Sequence, residues 1–367
     1  MIFLFSTYFV LQWMAWREKG GIAVRLLRSL LIVGALFILF FEIQSIHDVK
    51  KSLDNIESQF KEYFSTRKTE ERKERDSIEL SAPVTGPFSI ASIELGMDKK
   101  DVEKRYGTPV RTTINEYDTY WHTFHKDYRQ FFMVTYDEHE RVVGLYTNQN
   151  LISSVHGIQQ GTRREEVLEK LGAPLSSIRK DKYIYQLPDD RNYDLFHVEN
   201  CYITIFYDEQ QDETVRAMQI IDEKLEQERR ELYVQATAER IEALEYQLFD
   251  LVNAERKKYG LNLLSWDSAV QKTARKHSED MAVNGYFNHT NLAGKSAMER
   301  LQEDNIIFRK AGENLAYGQW SAIFAHEGLM NSPGHRANIL EEDYEYLGIG
   351  VYFNDNNEPF FTQNFYR

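Results

Sequence analysis

Three short segments in the last third of the chain carry the side chains whose chemistry is most worth following. His289 stands in Tyr286-Phe287-Asn288-His289-Thr290, Glu313 in Ala311-Gly312-Glu313-Asn314-Leu315, and His335 in Asn331-Ser332-Pro333-Gly334-His335-Arg336. A neutral imidazole offers a lone pair and a carboxylate a hard oxygen, so such groups can hold a divalent metal or move a proton. The segments are well separated, and nothing in their spacing brings them together. No Ser/His/Asp nucleophile arrangement and no Gly-rich phosphate loop can be read.

Neighbouring polar residues have plainer readings. His277 falls inside an amphipathic helical stretch and His326 on a polar one, so both are expected to be packed or surface histidines. Asn314, Arg336 and Asn338 are the types that fix loops through hydrogen bonds, and the Glu313 carboxylate could do the same for its own loop. Trp266, Tyr317, Phe360 and Phe365 are expected in the core. Asn288-His289-Thr290 matches a glycosylation sequon, a pattern frequent by chance.

The elements around these segments are legible. A helix runs to the stop at Gly260, and a second covers 268–284 with Ala269, Ala274, His277 and Met281 on its inward face. A short third helix covers 296–303, and strands at 347–352 and 360–365 close the chain. Helices followed by strands imply an α+β fold built as an α-β-α sandwich on an antiparallel sheet.

Taken in order, the Phe-x-His at His289, Gly312-Glu313-Asn314, Ser332-Pro333-Gly334-His335-Arg336 and Gly348-Ile349-Gly350-Val351 resemble the CAP superfamily, the fold of cysteine-rich secretory, antigen 5 and pathogenesis-related proteins, in its disulfide-free bacterial form. The resemblance covers nearly all of 241–367. It implies a central cleft in which His289, Glu313 and His335 gather, with Asn314 beside them, around zinc or another divalent cation. The second acid of the family tetrad would fall near Ser332, so a weaker or differently completed cation site is implied. Glu327 is acidic and close in sequence, but no motif places it in the cleft.

Upstream, the chain repeats itself. Gly96, Val102, Gly107 and Pro109 match Gly161, Val167, Gly172 and Pro174 at one spacing of 65 residues, and each copy leads into a strand ending in Tyr-Asp, at Tyr136-Asp137 and Tyr207-Asp208. Each unit reads as a short helix stopped by Gly and Pro and followed by a small antiparallel sheet. The pair, at 86–222, resembles the CAP-associated N-terminal module of exported Gram-positive proteins. Residues 223–240 have no Gly or Pro and read as a helical linker that should let 241–367 fold alone.

At the start, Arg17, Lys19, Arg25 and Arg28 precede an uncharged apolar run at 29–41. That layout predicts a signal anchor within 1–46, N-terminus inside, followed by a charged stalk at 47–85. Secretion after signal cleavage is the alternative. The apolar run at 1–16 adds either a second membrane segment or an extension ahead of a start at Met14. The net charge of −13 argues against a nucleic-acid partner. Cys201 is the only cysteine, so an exported chain has no internal disulfide, and its setting reads as a small buried hydrophobe.

Two functions compete at this stage. One is a cell-envelope binding module that is held to the cytoplasmic membrane by its anchor, takes a lipid-like or small-molecule ligand in the cleft, and contacts an envelope protein partner. The other is a metal-dependent hydrolase in which Glu313 acts as base. The residue at Ser332 removes an acid and favours the first.

Overall fold

The computed structural model describes residues 80–189 and 191–367. The anchor and nearly all of the stalk inferred above lie outside these residues. Ser77–Arg367 forms one compact unit. Among the described residues no helix is long and apolar enough to cross a membrane.

The repeat is visible in the backbone. Helices α1 (Lys99–Tyr106) and α2 (Arg164–Leu171) each bury a single valine, Val102 and Val167, and each stops at a glycine in the left-handed region, Gly107 (φ 81°) and Gly172 (φ 79°). The short strands β1 (Phe88–Ile90) and β6 (Ile152–Ser154) pair with each other. The first copy supplies β2 (Arg111–Ile114), β3 (Tyr120–Lys126), β4 (Arg129–Tyr136) and β5 (Val142–Thr147). The second supplies a small hairpin, β7 (Ser177–Lys180) with β8 (Tyr183–Gln186), and then β9 (Tyr193–Val198), β10 (Cys201–Asp208) and β11 (Thr214–Asp222). Rather than two small sheets, the copies share one seven-stranded sheet ordered β2-β3-β4-β5-β11-β10-β9, joined where β5 pairs antiparallel with β11. Gly144 sits at that seam because a Cβ there would lie 2.6 Å from the Thr135 side chain and 2.9 Å from that of Ile221.

Alternation along the strands sends side chains to two cores. Phe132, Val134, Ile203 and Ile205 pack with Val102 and Val167 beneath the module's own helices. Phe131, Met133, Phe206 and Ile221 face the other way, into a core completed by Leu248, Leu251, Ile323 and Leu329 of the C-terminal domain. That burial on both faces is why β10 is buried at every position, including Thr204 and Asp208. Cys201, at its start, is buried.

The expected continuous helix between the two halves is interrupted. Helix α3 (Glu223–Glu228) ends early, and α4 (Ala238–Lys258) begins only after Thr237, whose side chain accepts from Arg240 N–H. In between, the Arg229 and Arg230 carbonyls accept from Lys180 Nζ and Tyr185 of the β7–β8 hairpin, contacts outside the helical ladder. A tertiary choice of this kind leaves no Gly or Pro signal.

The C-terminal domain is an α-β-α sandwich. Its sheet orders β12 (Ser265–Trp266), β14 (Tyr346–Phe353), β15 (Pro359–Tyr366) and β13 (Ala311–Tyr317). Leu347, Ile349 and Val351 of β14 face the shared core, where α4 and α7 (Ala322–Asn331) lie. Gly348 and Gly350 face α5 (Ser268–Asn284), so close that a Cβ would stand 2.3 Å from Gln271 N and 2.0 Å from Arg275 N. Short helices α6 (Ala297–Glu303), opened by a Ser296/Glu299 capping box, and α8 (Pro333–Ile339) complete it. Phe360 and Phe365 are buried as expected, Trp266 is half-buried, and Tyr317 is 40% exposed against Phe360.

Candidate functional site

Each side chain of the candidate cleft arrives on a different element. Helix α5 stops at Gly285, in the left-handed conformation, and releases the loop that carries His289. Glu313 points from β13, while His335 stands in the first turn of α8, which Pro333 opens. His289 Nδ1 lies 2.9 Å from Glu313 Oε1, and Arg300 Nη2, from α6, donates to Oε2. Both Glu313 oxygens are therefore engaged, and the side chain is 2% exposed beside a His289 that is 57% exposed. Because a carboxylate only accepts, Nδ1 carries the proton and the lone pair of the neutral ring sits on Nε2. His335 is half-buried, and burial together with the nearby His289 pushes its pKa down.

Behind these groups is a hydrogen-bonded brace. Asn314 Nδ2 donates to the His335 carbonyl at 3.1 Å and to Gln363 Oε1 at 3.1 Å, and Asn338 Nδ2 donates to the Glu313 carbonyl at 3.1 Å and Asn314 Oδ1 at 2.9 Å. Gly312 admits Asn338, since a Cβ there would meet its Oδ1 at 2.8 Å. Asn314 is fully buried and fixes α8 on β13 from below. Ser332, at the place of the missing acid, precedes α8 without capping it through its side chain.

Other candidates lie elsewhere. Glu327 is buried between the two halves, where it accepts from Tyr146 and from Arg216 Nε at 2.7 Å each. Arg336 turns to the same junction and donates to Asp208 at 2.8 Å, and His326 is fully buried there, 4.0 Å from Glu255. His277 is packed, its Nε2 3.0 Å from the Asn288 carbonyl. Among the described residues no group of three or more His, Cys, Asp or Glu side chains is arranged to hold a metal ion. The residue that the sequence reading missed is Arg300. Its signal was position: it lies between Ala297 and Leu301 on the buried face of a short helix.

Comparison with known proteins matches both halves. The CAP-associated N-terminal model matches residues 95–232, and the cysteine-rich secretory protein family model matches 249–365. The membrane protein YlbC of Bacillus subtilis is 26% identical over 378 residues, covering 94% of this chain and 98% of that one. YkwD of the same organism is 37% identical over 110 residues, 30% of this chain and 43% of that one. An extracellular SCP-domain protein of Bacillus anthracis superposes with a TM-score of 0.66 at 26% identity, covering 80% of this chain and 99% of that structure. A cysteine-rich secretory protein of Staphylococcus aureus shares the fold at a TM-score of 0.61 and 18% identity, over 78% and 97% of the two chains. With both models in the expected order on one compact unit, the chain is a bacterial-type CAP-domain protein whose CAP domain follows a CAP-associated N-terminal module.

Proposed function

We propose that this is a membrane-anchored, exported envelope protein that works as a binding module, with the His289/His335 cleft as the ligand seat. The observation that carries this reading is the double engagement of Glu313. A general base needs a free oxygen within reach of water, and here one oxygen orients His289 while the other meets a buried guanidinium. The YlbC relative, named as a membrane protein, and the extracellular neighbour support placing the CAP domain outside an anchor within residues 1–46.

The donor set suits a divalent cation in a specific way. His289 Nε2 and His335 would hold it, and Glu313 would act as the carboxylate that fixes the His289 tautomer. Such an ion would supply an electrophilic seat for an oxygen-bearing ligand. Glu313 would stay bonded to Arg300, which is what separates this reading from the hydrolase alternative. The test is native mass spectrometry of residues 77–367, a unit containing both cores whole, after expression with export in a Gram-positive host. A bound lipid-like or small-molecule mass that is absent from a folded His289→Ala, His335→Ala variant is expected. Turnover of ester or amide probes that disappears in Glu313→Gln would overturn it in favour of the hydrolase.

A further inference from the structure

The far end of β13 carries an aromatic shelf that the cleft does not use. Tyr317, the last residue of the strand, lies four positions and about 13 Å along it from Glu313, on the same face. It stands directly opposite Phe360 of β15, with ring centroids 4.3 Å apart. Phe287, from the loop after α5, packs beside both, 6.0 Å from Tyr317 and 6.5 Å from Phe360. Phe360 is 4% exposed, whereas Phe287 and Tyr317 are 49% and 40% exposed. Two contacting rings therefore rest on a buried third and keep nearly half of their surface in water.

Single exposed apolar side chains are ordinary, but this pair is held in place. Tyr317 Oη donates to Glu358 Oε2 at 2.8 Å, and Asn354 Nδ2 donates to the same oxygen at 2.6 Å. The Glu358 backbone N–H donates back to Asn354 Oδ1 at 2.9 Å, and the Gly318 carbonyl, next along the chain, accepts from Tyr233 at 2.8 Å. A surface fixed in this way loses little freedom when a ligand settles on it.

The arrangement selects among ligand chemistries. Phe287 and Tyr317 pack on each other, so no gap is left in which a cation would be enclosed from two sides. The shelf is open, so an acyl chain laid on it would keep much of its surface in water. The rim is anionic. Donors from Asn354 and Tyr317 hold the Glu358 carboxyl below its ordinary range, so it stays charged and repels phosphate and carboxylate groups. A neutral sugar ring meets all three conditions. Its C–H face can lie on the aromatic rings while its other face and its hydroxyls stay hydrated. A carboxylate has about four acceptor positions, so Glu358 can also take a hydroxyl at the edge of the ring.

We infer that this shelf is a binding site for a neutral saccharide, in which a sugar ring stacks on Phe287 and Tyr317 and an edge hydroxyl donates to Glu358. The site goes beyond the cleft reading and stands without it, since it uses none of His289, Arg300, Glu313 or His335.

The test is a titration of residues 77–367 with the trisaccharides of glucose and of N-acetylglucosamine, and separately with choline and octanoate, followed through the ring C–H resonances of Phe287 and Tyr317. Saturable binding of at least one sugar at millimolar concentration, with both sets of signals moving, is expected. Phe287→Ala should weaken that binding at least tenfold with unchanged melting, and Tyr317→Ala should do the same. Phe287→Ala alone decides if Tyr317→Ala does not fold. The His289→Ala, His335→Ala variant should bind the sugar like wild type, whatever becomes of the cleft. Sugar recognition by the shelf is ruled out if neither trisaccharide gives a saturable response, if the folded shelf variants bind like wild type, if the double-histidine variant loses the sugar, or if choline or octanoate binds more tightly than both sugars.

Discussion

The junction between the two halves and the cleft are built on one motif, a carboxylate gripped by an arginine, and they differ in what surrounds it. At the junction Arg216 Nη2 meets Glu255 at 2.9 Å and Arg216 Nε meets Glu327 at 2.7 Å, all three side chains being at most 1% exposed. At the candidate site Arg300 and Glu313 are also buried, at 8% and 2% exposed, but the group that Glu313 holds next, His289, is open. Sealed on every side, a charge cluster can only hold surfaces together. Opened on one side, the same pair becomes a fixed field behind a group that solvent can reach. Burial of charge is therefore common to both places; the exposure of the neighbouring group is what differs.

The largest expected effect is at the junction. Arg216→Met leaves Glu255 and Glu327 buried without their cation and should cost about 3–5 kcal/mol in urea unfolding. Because β11, α4 and α7 meet on this residue, both halves of the unit should lose stability together. Separate transitions, with the CAP half melting as in wild type, would break the comparison and restore the picture of an independent C-terminal domain.

Acid should act on the same cluster. Burial alone would raise the Glu255 pKa, but Arg216 and Lys258 outweigh it and hold the carboxyl well below its usual range. A depressed folded pKa contributes stability that is fully present above the unfolded value, about 4.3, and is lost as pH falls through the folded one. The wild-type urea midpoint should accordingly fall below about pH 4. Arg216→Met, having lost the cause of the depression, should show a flatter pH profile in that window.

In the cleft the expected changes are smaller. Glu313→Gln keeps the shape but leaves Arg300 without a counter-charge, at a cost of about 1–3 kcal/mol. It also leaves one acceptor oxygen, which the donor-only Arg300 claims, so the amide nitrogen turned toward His289 no longer fixes Nδ1 as the donor. Nitrogen shifts of the His289 ring should report a single tautomer in wild type and a mixture in the variant. An unchanged spectrum would mean that Glu313 does not orient this ring.

How much of this was legible depends on the range of the cause. Helix α5, from Ser268 to Asn284, and the two closing strands followed from local periodicity. The 65-residue repeat was equally plain, because Gly96, Gly107, Gly161 and Gly172 answer to local backbone needs at φ between 79° and 87°. The fusion of the repeats into one sheet was not, since it depends on β5 meeting β11 across the seam at Gly144. Nor was the destination of Glu327, Arg336 and His326, which share a stretch with the His335 motif yet turn to the opposite face. Helical phase separates His335 from Arg336 by about 100°, and only the packed partner decides which side is cleft. Arg300 was overlooked because no metal or nucleophile chemistry attaches to an arginine on a short helix.

The smallest expected stability effect belongs to the residues expected to matter most for binding. His289 is exposed and His335 half-buried, with its backbone carbonyl, not its ring, held by Asn314. Truncating both rings removes no element of the Asn314–Asn338 brace, so the His289→Ala, His335→Ala variant should stay within about 1 kcal/mol of wild type. Zinc binding should respond differently. With Glu313 committed to Arg300, the two imidazoles would be the ligands the protein supplies to such an ion, with water filling the remaining positions. Calorimetric titration of zinc into residues 77–367 should give one modest site, stronger than for magnesium or calcium because imidazole is the softer donor. The double variant should lose that site while melting like the parent. Glu313→Gln should weaken it about 10–100-fold, as expected of a carboxylate that orients a ligand rather than binding the ion. If the folded double variant bound zinc as wild type does, the cleft would be a second junction: a charge pair whose open side leads nowhere.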